Sequence, residues 1–304
     1  MDLAAAAEID QDRKALDLPV SDKTMHLVFT GASGTGKTTV AREIGQLYYH
    51  MGLVEKDPST SAGWAEVSGP DLVGKYKGQS GAKVKELFEG SDDGQEGMIG
   101  GVIFIDEAYS MVSGKDDEYG QQAVAELLRQ AENHRDSTVV ILAGYDADMK
   151  ELMSMNTGMP RRFPTTLTFP EMSLDDRYKV MQRRMTEGKY GIGTGAQAEG
   201  VRHGIMDALQ YTGAGNAGDV RNLFEKVEMA QRVRLANKKA KDGKPLTAQQ
   251  LSRITPADVK AGMKAYVSTS DVRDPLKGRL VPTSRKKPAA KKAAPKKRRL
   301  ELVS

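Results

Sequence analysis

The feature that most constrains this chain is an eight-residue stretch, residues 31–38, which reads GASGTGKT. It follows a short apolar segment at 25–30 and leads into a helical pattern at 38–50. Between a strand and a helix, the pattern GxxxxGK(S/T) predicts a phosphate-binding loop, because its glycines let successive backbone N–H groups turn toward phosphate oxygens. The N-terminus of the following helix adds partial positive charge. The alternative, a glycine-rich turn that matches by chance, does not explain this context.

The loop also supplies the first candidate site residues. We expect the Lys37 ammonium to reach the β- and γ-phosphates and the Thr38 hydroxyl to ligate Mg²⁺. The nucleotide-binding residues predicted from this segment are Gly31, Ala32, Ser33, Gly34, Thr35, Gly36, Lys37, Thr38 and Thr39.

A second motif lies about 70 residues further on. The apolar segment 101–105 (GVIFI) predicts a buried strand, and it ends in Asp106 and Glu107. Ligands of open α/β sheets bind outside the carboxyl ends of the strands. We therefore expect Asp106 to hold Mg²⁺, directly or through water, and Glu107 to polarise an attacking water as general base. Alternatively, both are surface acids that cap the next helix.

Strand and helix patterns alternate through the first part of the chain, and only helical patterns follow residue 170. The predicted strands are 25–30, 63–67, 101–105, 138–143 and 166–169. The alternation predicts an α/β fold with a parallel sheet covered by helices on both faces, followed by a helical unit. The predicted domains are an N-terminal arm (1–24), an α/β domain (25–172), a helical lid domain (173–270) and a basic tail (271–304).

Charge is distributed unevenly along the chain. Residues 271–304 carry twelve Lys and Arg against three Asp and Glu, a net charge of +9, within a chain whose net charge is only +4. Segment 285–299 has nine basic residues and no acid. Such a composition predicts disorder, and nonspecific contact with nucleic acid through counterion release. The alternatives are a solubilising tail or, in a eukaryotic source, a nuclear address.

Composition excludes several classes of protein. The chain has no Cys, which excludes a disulfide scaffold, thiolate zinc, iron–sulfur ligation and a Cys nucleophile. No apolar run approaches the roughly 20 residues of a membrane helix, and the acidic, Ala-rich start lacks the positive region of a secretory signal. We expect a cytoplasmic protein with no membrane partner, nucleoid-associated if the tail binds DNA, and nuclear only in a eukaryote.

Seven segments in a fixed order carry a family resemblance. They lie at 26–49, 71–80, 104–111, 118–128, 139–149, 161–164 and 215–225. The series resembles AAA+ ATPases, and more narrowly the subgroup of red-type Rubisco activases (CbbX), sporulation stage V proteins and type VII secretion ATPases. The resemblance implies a P-loop NTPase domain with a helical lid, ATP and Mg²⁺ as cofactors, and a homo-oligomeric ring, expected to be a hexamer.

The resemblance also implies roles for two further regions. Tyr76, Lys77 and Gly78 match the aromatic–x–Gly pore loop that grips a polypeptide in such rings. The basic residues beside the tyrosine, Lys75 and Lys77, also suit an acidic chain or nucleic acid. Arg162, with Arg161 as the alternative, matches the arginine finger that enters a neighbour's site. Such a finger is worth about 10³–10⁵ in rate.

The sequence departs from the family pattern at two sensor positions. Tyr145 stands after Ala-Gly where many AAA+ proteins place a polar sensor near the attacking water, and we expect it to approach that water. Gly218 replaces the lid arginine of the subgroup's GNAR motif. Arg221, three residues further along a helix, lies on nearly the same face and is the candidate replacement as a nucleotide contact.

These observations favour an ATP-hydrolysing ring that remodels or translocates a macromolecule, either a protein or a nucleoprotein, through a central pore. Two alternatives remain open. One is a slowly hydrolysing ATP-binding switch or scaffold that sits on DNA through the basic tail. The other is a chaperone like Rubisco activase.

Overall fold

The computed structural model describes residues 13, 16, 18, 24–76, 78–114, 116–212 and 215–269. Most of the predicted N-terminal arm, and all of the predicted basic tail with its segment 285–299, lie outside the described residues. The chain divides into two compact units. Among the described residues, the first comprises those up to 189 and those of 212–222, and the second comprises 190–211 and 223–269.

The first unit is built on one five-stranded sheet. Its strands are β1 (Leu27–Gly31), β2 (Trp64–Ser68), β3 (Val102–Asp106), β4 (Val139–Gly144) and β5 (Thr165–Phe169). Their order is β2-β3-β4-β1-β5, and every pair is parallel. The predicted α/β fold with a parallel sheet is therefore confirmed.

Strand β3 shows why the sheet is covered on both sides. Ile103 and Ile105 pack into the core on one face, while Val102 and Phe104 pack with Phe29 into a separate core on the other. Successive residues of a strand point to opposite faces. An uninterrupted apolar run is thus what a strand buried on both faces requires.

In the part of the first unit that the structure describes, six complete helices and two short 3₁₀ helices accompany the sheet. The helices are α1 (Lys37–His50), α2 (Gln79–Glu89), α3 (Glu118–Asn133), α4 (Asp146–Met155), α5 (Met159–Arg162) and α6 (Leu174–Glu187), and the 3₁₀ helices are Gly69–Leu72 and Ala108–Met111. Helix α3 begins at a side-chain cap, because the Asp117 carboxylate accepts a hydrogen bond from the Gly120 N–H at 2.9 Å. Helix α1 instead begins at Lys37, within the phosphate loop, after the left-handed cap residue Gly36 and without a side-chain cap.

The second unit is helical. It contains α7 (Gly195–Leu209), α8 (Asn216–Asp242, of which the residues up to 222 belong to the first unit), α9 (Ala248–Leu251) and α10 (Pro256–Thr269). Asp258, at the start of α10, is almost completely buried and accepts two hydrogen bonds from Arg234 of α8, at 2.8 and 2.9 Å. This bidentate pair joins α8 to α10. In the described residues, no helix has the length and apolar character needed to cross a membrane.

Candidate functional site

The sheet brings three sequence-distant segments to one edge. Strand β1 lies between β4 and β5, and its carboxyl end continues into the phosphate loop. Strand β3 ends at Asp106, and β4 ends at Gly144 just before Tyr145. Because all strands are parallel, these carboxyl ends meet at the same edge, where open α/β sheets bind their ligands.

A cavity of about 380 Å³ lies at this edge. Its lining residues are Ser33, Gly34, Gly36, Lys37, Thr38, Thr39, Asp106, Glu107, Gly144, Tyr145, Ala217, Gly218 and Arg221. Most of the predicted nucleotide-binding residues therefore surround one space. Gly31, Ala32 and Thr35 do not line it, and Arg161 and Arg162 lie elsewhere in the unit.

Glycine is required at two positions of the phosphate loop. Gly34 and Gly36 have φ of 71° and 98°, a region that side-chain-bearing residues rarely adopt. A Cβ at Gly34 would also lie 2.3 Å from the carbonyl oxygen of Gly215. The Thr35 hydroxyl donates to the carbonyl of Ala32 at 2.9 Å and so closes the turn from within.

The Lys37 ammonium lies across the loop. Its Nζ donates to the carbonyl oxygens of Gly31 at 2.8 Å and Ala32 at 2.9 Å, and it lies 5.9 Å from the centre of the Tyr145 ring. Burial lowers the pKa of Lys37, whereas nearby carboxylates, chiefly Asp106, oppose that shift. The arrangement places a cation between the loop and the acidic residues of β3.

The acidic pair spans the end of β3, where Asp106 is the last strand residue and Glu107 begins a strained turn. Glu107 has φ of 49° and ψ of 42°, which is uncommon for a residue other than glycine. Its N–H donates to Asp106 Oδ1 at 3.0 Å, and its carbonyl accepts the Ser110 N–H at 2.8 Å. A Cβ at Gly69 would lie 2.5 Å from the Glu107 carbonyl oxygen. Close backbone packing therefore holds the strained conformation, a pattern that concentrates at functional sites.

Asn216 supports the phosphate loop, a contact that the sequence analysis missed. Its Nδ2 donates to the Ser33 carbonyl at 3.1 Å, and its Oδ1 accepts the Met172 N–H at 2.8 Å. The neighbouring Ala217 N–H donates to the Gly34 carbonyl at 3.0 Å. Asn216 is fully buried and has φ of 48°. The sequence signal that could have indicated this contact is the pair Gly215-Asn216. Asparagine tolerates the left-handed backbone conformation that residue 216 adopts.

Gly218 and Arg221, both in α8, line the same cavity. A Cβ at Gly218 would meet no atom within 4 Å, so the position has room for a side chain. Arg221 is exposed and borders the cavity one turn further along α8. Arg221 thus lines the same cavity as the phosphate loop, and its contact with a nucleotide stays a prediction.

The predicted pore loop forms an exposed turn before α2. Tyr76 is 70% exposed, and the Gln79 side-chain oxygen accepts the N–H groups of both Lys75 and Tyr76, each at 3.2 Å. Gly78 has φ of 86° and donates its N–H to Gln122 of α3 at 3.3 Å. Lys77 lies outside the described residues.

The candidate finger residues lie on α5, before β5. Arg161 is exposed, whereas Arg162 is half-buried and forms an ion pair with Glu132, with 3.0 Å between Nε and Oε2. Neither residue borders the cavity at the phosphate loop of its own chain.

The residues at this cavity suit a magnesium–nucleotide complex. In the described residues, no group of three or more acidic or His side chains could hold a metal ion unaided. The Thr38 hydroxyl and the Asp106 carboxylate nevertheless both line the cavity. Mg²⁺ characteristically takes one or two such protein oxygens together with substrate phosphates and water.

Comparison with known proteins agrees with the fold and the motifs. The family described as ATPase family associated with various cellular activities (AAA) matches residues 27–171, and the AAA lid domain matches 178–268. Stage V sporulation protein K of Bacillus subtilis is 34% identical over 75% of this chain and 67% of its own length. Protein CbbX of Cereibacter sphaeroides is 33% identical over 85% of this chain and 79% of its own length.

A solved structure supports the same fold at lower sequence identity. The AAA domain of FIGL-1, in a crystal structure with ADP, superposes with a TM-score of 0.55 and 17% identity, over 85% of this chain and 77% of that domain's chain. The matching family models, the two relatives and the cavity built from the predicted motifs lead to one assignment. The chain belongs to the AAA family of ATPases, in the subgroup that includes stage V sporulation protein K and the CbbX proteins.

Proposed function

We propose that this chain hydrolyses ATP in a homo-oligomeric ring, a hexamer by family resemblance, and uses that energy to remodel or translocate a macromolecular client. The observation that carries the proposal is the cavity of about 380 Å³, which is lined by Lys37, Asp106 and Glu107 together. Phosphoryl transfer to water requires a cation, a metal ligand and a general base around the same cavity. Lys37, Asp106 and Glu107 supply these three groups in the proposed site.

Each of these residues has a distinct task in the proposed reaction. Lys37 and the inward N–H groups of the loop bind the β- and γ-phosphates, and Thr38 and Asp106 hold Mg²⁺. The ion, when bound, neutralises charge that develops on the phosphate oxygens. The Glu107 carboxylate accepts the proton of the attacking water. Tyr145, which also lines the cavity, contacts that water in the proposed reaction.

A second copy of the chain completes the proposed site. Arg162, or alternatively Arg161, enters the neighbouring protomer's cavity and stabilises charge on the γ-phosphate. The position of both residues away from their own cavity supports action between protomers. The expected signature is an ATPase rate per protomer that rises with protein concentration, because isolated protomers lack the finger.

The decisive experiment pairs two substitutions at the cavity. Glu107→Gln keeps the shape of the side chain but removes the base, so ATP binding should persist while hydrolysis falls by about 10²–10⁴-fold. Lys37→Ala should abolish binding itself, as measured by calorimetry. Lys150→Ala, at an exposed lysine of α4, is the matched control. Full hydrolysis by the Glu107→Gln variant would refute the proposed chemistry.

The exposed Tyr76 supports a threaded client. Tyr76 is 70% exposed, on a turn held by hydrogen bonds to Gln79. Its phenol group is therefore free to contact a polypeptide. A protein client is favoured by this tyrosine, and a nucleoprotein by the basic segment 285–299. The Glu107→Gln variant, loaded with ATP, should retain the client for identification, and a Tyr76→Ala version of it should release the client.

Truncation tests the nucleic-acid alternative. Removal of the chain after Pro282 eliminates all nine basic residues of segment 285–299. If DNA is a partner, the full chain should bind it with an affinity that falls as salt rises, and the truncated chain should not. No DNA binding by the full chain would reject a DNA-bound scaffold.

A slow nucleotide switch is the second candidate, and Gly218 is the observation that favours it. The arginine that would contact the γ-phosphate in the subgroup is absent there. A wild-type protein that holds ATP without measurable turnover, even at high protein concentration, would favour the switch over the remodelling ATPase.

A further inference from the structure

A second cavity of the first unit surrounds the candidate finger. It has a volume of about 550 Å³ and is lined by Thr24, His26, Ala131, Glu132, Arg135, Arg161 and Arg162. Three of these side chains are guanidinium groups and only one is a carboxylate. Glu132 is therefore the one lining residue whose negative charge offsets the positive charge of the three arginines.

The Glu132 carboxylate is shared between two of the arginines. Its Oε1 lies 2.9 Å from Arg135 Nη1, and its Oε2 lies 3.0 Å from Arg162 Nε. The Arg162 Nε atom is buried, and its N–H direction makes no hydrogen bond, so the contact is an ion pair rather than a directed bond. Arg161, by contrast, is exposed.

Other contacts also hold Arg162 against its own chain. The Thr24 hydroxyl donates to the Arg162 carbonyl at 2.9 Å, which fixes the backbone. The guanidinium lies over Gly158, where a Cβ would come within 2.8 Å of Arg162 Nη1. The side chain therefore occupies space that exists only because residue 158 is glycine.

We infer that Glu132 is a positioning residue that restrains the finger, so that the nucleotide of a neighbouring protomer must compete with this carboxylate for Arg162. The inference rests on the proposed function, in which Arg162 acts between protomers. The side chains of Arg162 and Glu132 are 28% and 40% exposed. Ion pairs this exposed are weak, and their removal changes an equilibrium by at most about five-fold.

The main test is Glu132→Gln in the full-length protein. Glutamine keeps the size of the side chain but loses the charge, so Arg162 should transfer more readily to the neighbour. We expect kcat for ATP hydrolysis to rise by about two- to five-fold, with KM for ATP little changed. If the role of Glu132 is purely structural, Glu132→Gln should leave kcat unchanged or reduce it.

A second substitution releases the arginine without changing any charge. Gly158→Ala places a methyl group where the Arg162 guanidinium now lies, and the flexible tip of that side chain can move away. It should therefore raise kcat in the same direction as Glu132→Gln. Glu126→Gln is the matched control, because Glu126 lies on the same helix and pairs with Arg129 outside this cavity. It should leave kcat unchanged.

The inference also requires that the effect depend on Arg162. In an Arg162→Ala background, Glu132→Gln should no longer raise kcat. A rise that persists there, or no rise in the Arg162-containing protein, would overturn the restraint while leaving ATP hydrolysis by the ring intact. Absence of hydrolysis in the wild-type protein at every concentration would overturn both proposals.

Discussion

The Asn216 carboxamide donates to the carbonyl of Ser33, 183 residues earlier in the chain, at 3.1 Å. The same carboxamide accepts the N–H of Met172, in the segment between β5 and α6. One buried side chain thus joins the phosphate loop to two other segments of the first unit. Since buried amide groups are costly to leave unpaired, the conformation of the loop depends on this residue.

Replacing Asn216 with Ala should weaken both folding and nucleotide binding. The change leaves the Met172 N–H without its acceptor and puts an alanine at φ of 48°. We expect a loss of about 1–3 kcal/mol in the free energy of unfolding, measured by chemical denaturation, together with a higher Kd for ATP. Asn222→Ala, an exposed position on the same helix, should change neither. An unaltered Kd for ATP would show that the loop does not depend on Asn216.

Substitution of Gly69 should affect chemistry more than binding. An alanine Cβ would lie 2.5 Å from the Glu107 carbonyl oxygen and 2.7 Å from Ser110 Oγ, so the turn that carries Glu107 must shift. Misplacement of a catalytic group by about 1 Å can reduce rate by about 10²-fold. We expect Gly69→Ala to lower kcat by about 10- to 100-fold, with the Kd for ATP nearly unchanged.

Gly81→Ala provides the comparison for that experiment. Residue 81 lies in helix α2, and a Cβ there would come no closer than 4.0 Å to Glu126. Alanine is the better helix former, so this variant should be at least as stable as the wild type and fully active. Equal effects of the two substitutions on kcat would argue against a specific role for the Gly69 contact.

The lid position can be tested by loss and restoration of an arginine. If Arg221 contacts the nucleotide, Arg221→Ala should raise the Kd for ATP by about ten-fold or more, the range of a charge-assisted hydrogen bond. Because residue 218 has open space around it, Gly218→Arg in that background should recover affinity. Gly218→Ala supplies no charge and should not. Failure of Arg221→Ala to alter affinity would remove Arg221 from the site.

His26 predicts a dependence of stability on pH. Its Nε2 lies 2.9 Å from the Ala131 carbonyl, which can only accept, and its Nδ1 accepts the Val140 N–H at 3.1 Å. Both nitrogens of a neutral ring are therefore used. Burial lowers the pKa of His26, while the bond to Ala131 and the charge of Glu132 oppose that shift. The folded protein thus binds a proton less readily than the unfolded chain.

The sign follows from this difference in pKa. Above pH 6.5, the ordinary value for His, both states are neutral and the contribution of His26 is fully present. Below it the unfolded chain takes up a proton first, so stability should fall with a slope of at most about 1.4 kcal/mol per pH unit. His26→Gln should flatten the curve between pH 5 and 6.5 in urea unfolding, whereas His203→Gln, at an exposed position on α7, should leave it unchanged.

Local patterns predicted the fold better than they predicted the site. Strand β3, which ends in Asp106, was predicted within one residue. Its uninterrupted apolar run fits a strand buried on both faces of a sheet. Helix α4 (Asp146–Met155) was not predicted, since its apolar pattern is weak, although the acidic residues of its first turn are typical of a helix start. The pattern at 83–89 predicted the end of helix α2, whereas its start at Gln79, after the left-handed cap residue Gly78, was not predicted. A glycine directly before a helical pattern, such as Gly78, is a sequence signal for the start of a helix.

Contacts between distant residues account for what the sequence could not predict. Asn216 and Glu132 each act on a segment far away along the chain, and no periodicity or motif records such a pairing. The phosphate-loop residues were predictable because backbone geometry and phosphate chemistry restrict which residues can stand there. The roles of Tyr145, Arg161, Arg162 and Arg221 stay predictions.

Strand β5 has a mechanical consequence for a ring of such chains. It is an edge strand whose side chains are mostly exposed, and it starts three residues after Arg162 and ends opposite Gly31 of the phosphate loop. Its five residues span four rises of about 3.3 Å each. Because the strand is already extended, it can lengthen very little under load. If Arg162 contacts a neighbouring protomer as proposed, a pull on that arginine would be transmitted along about 13 Å of extended backbone to the phosphate loop of its own protomer.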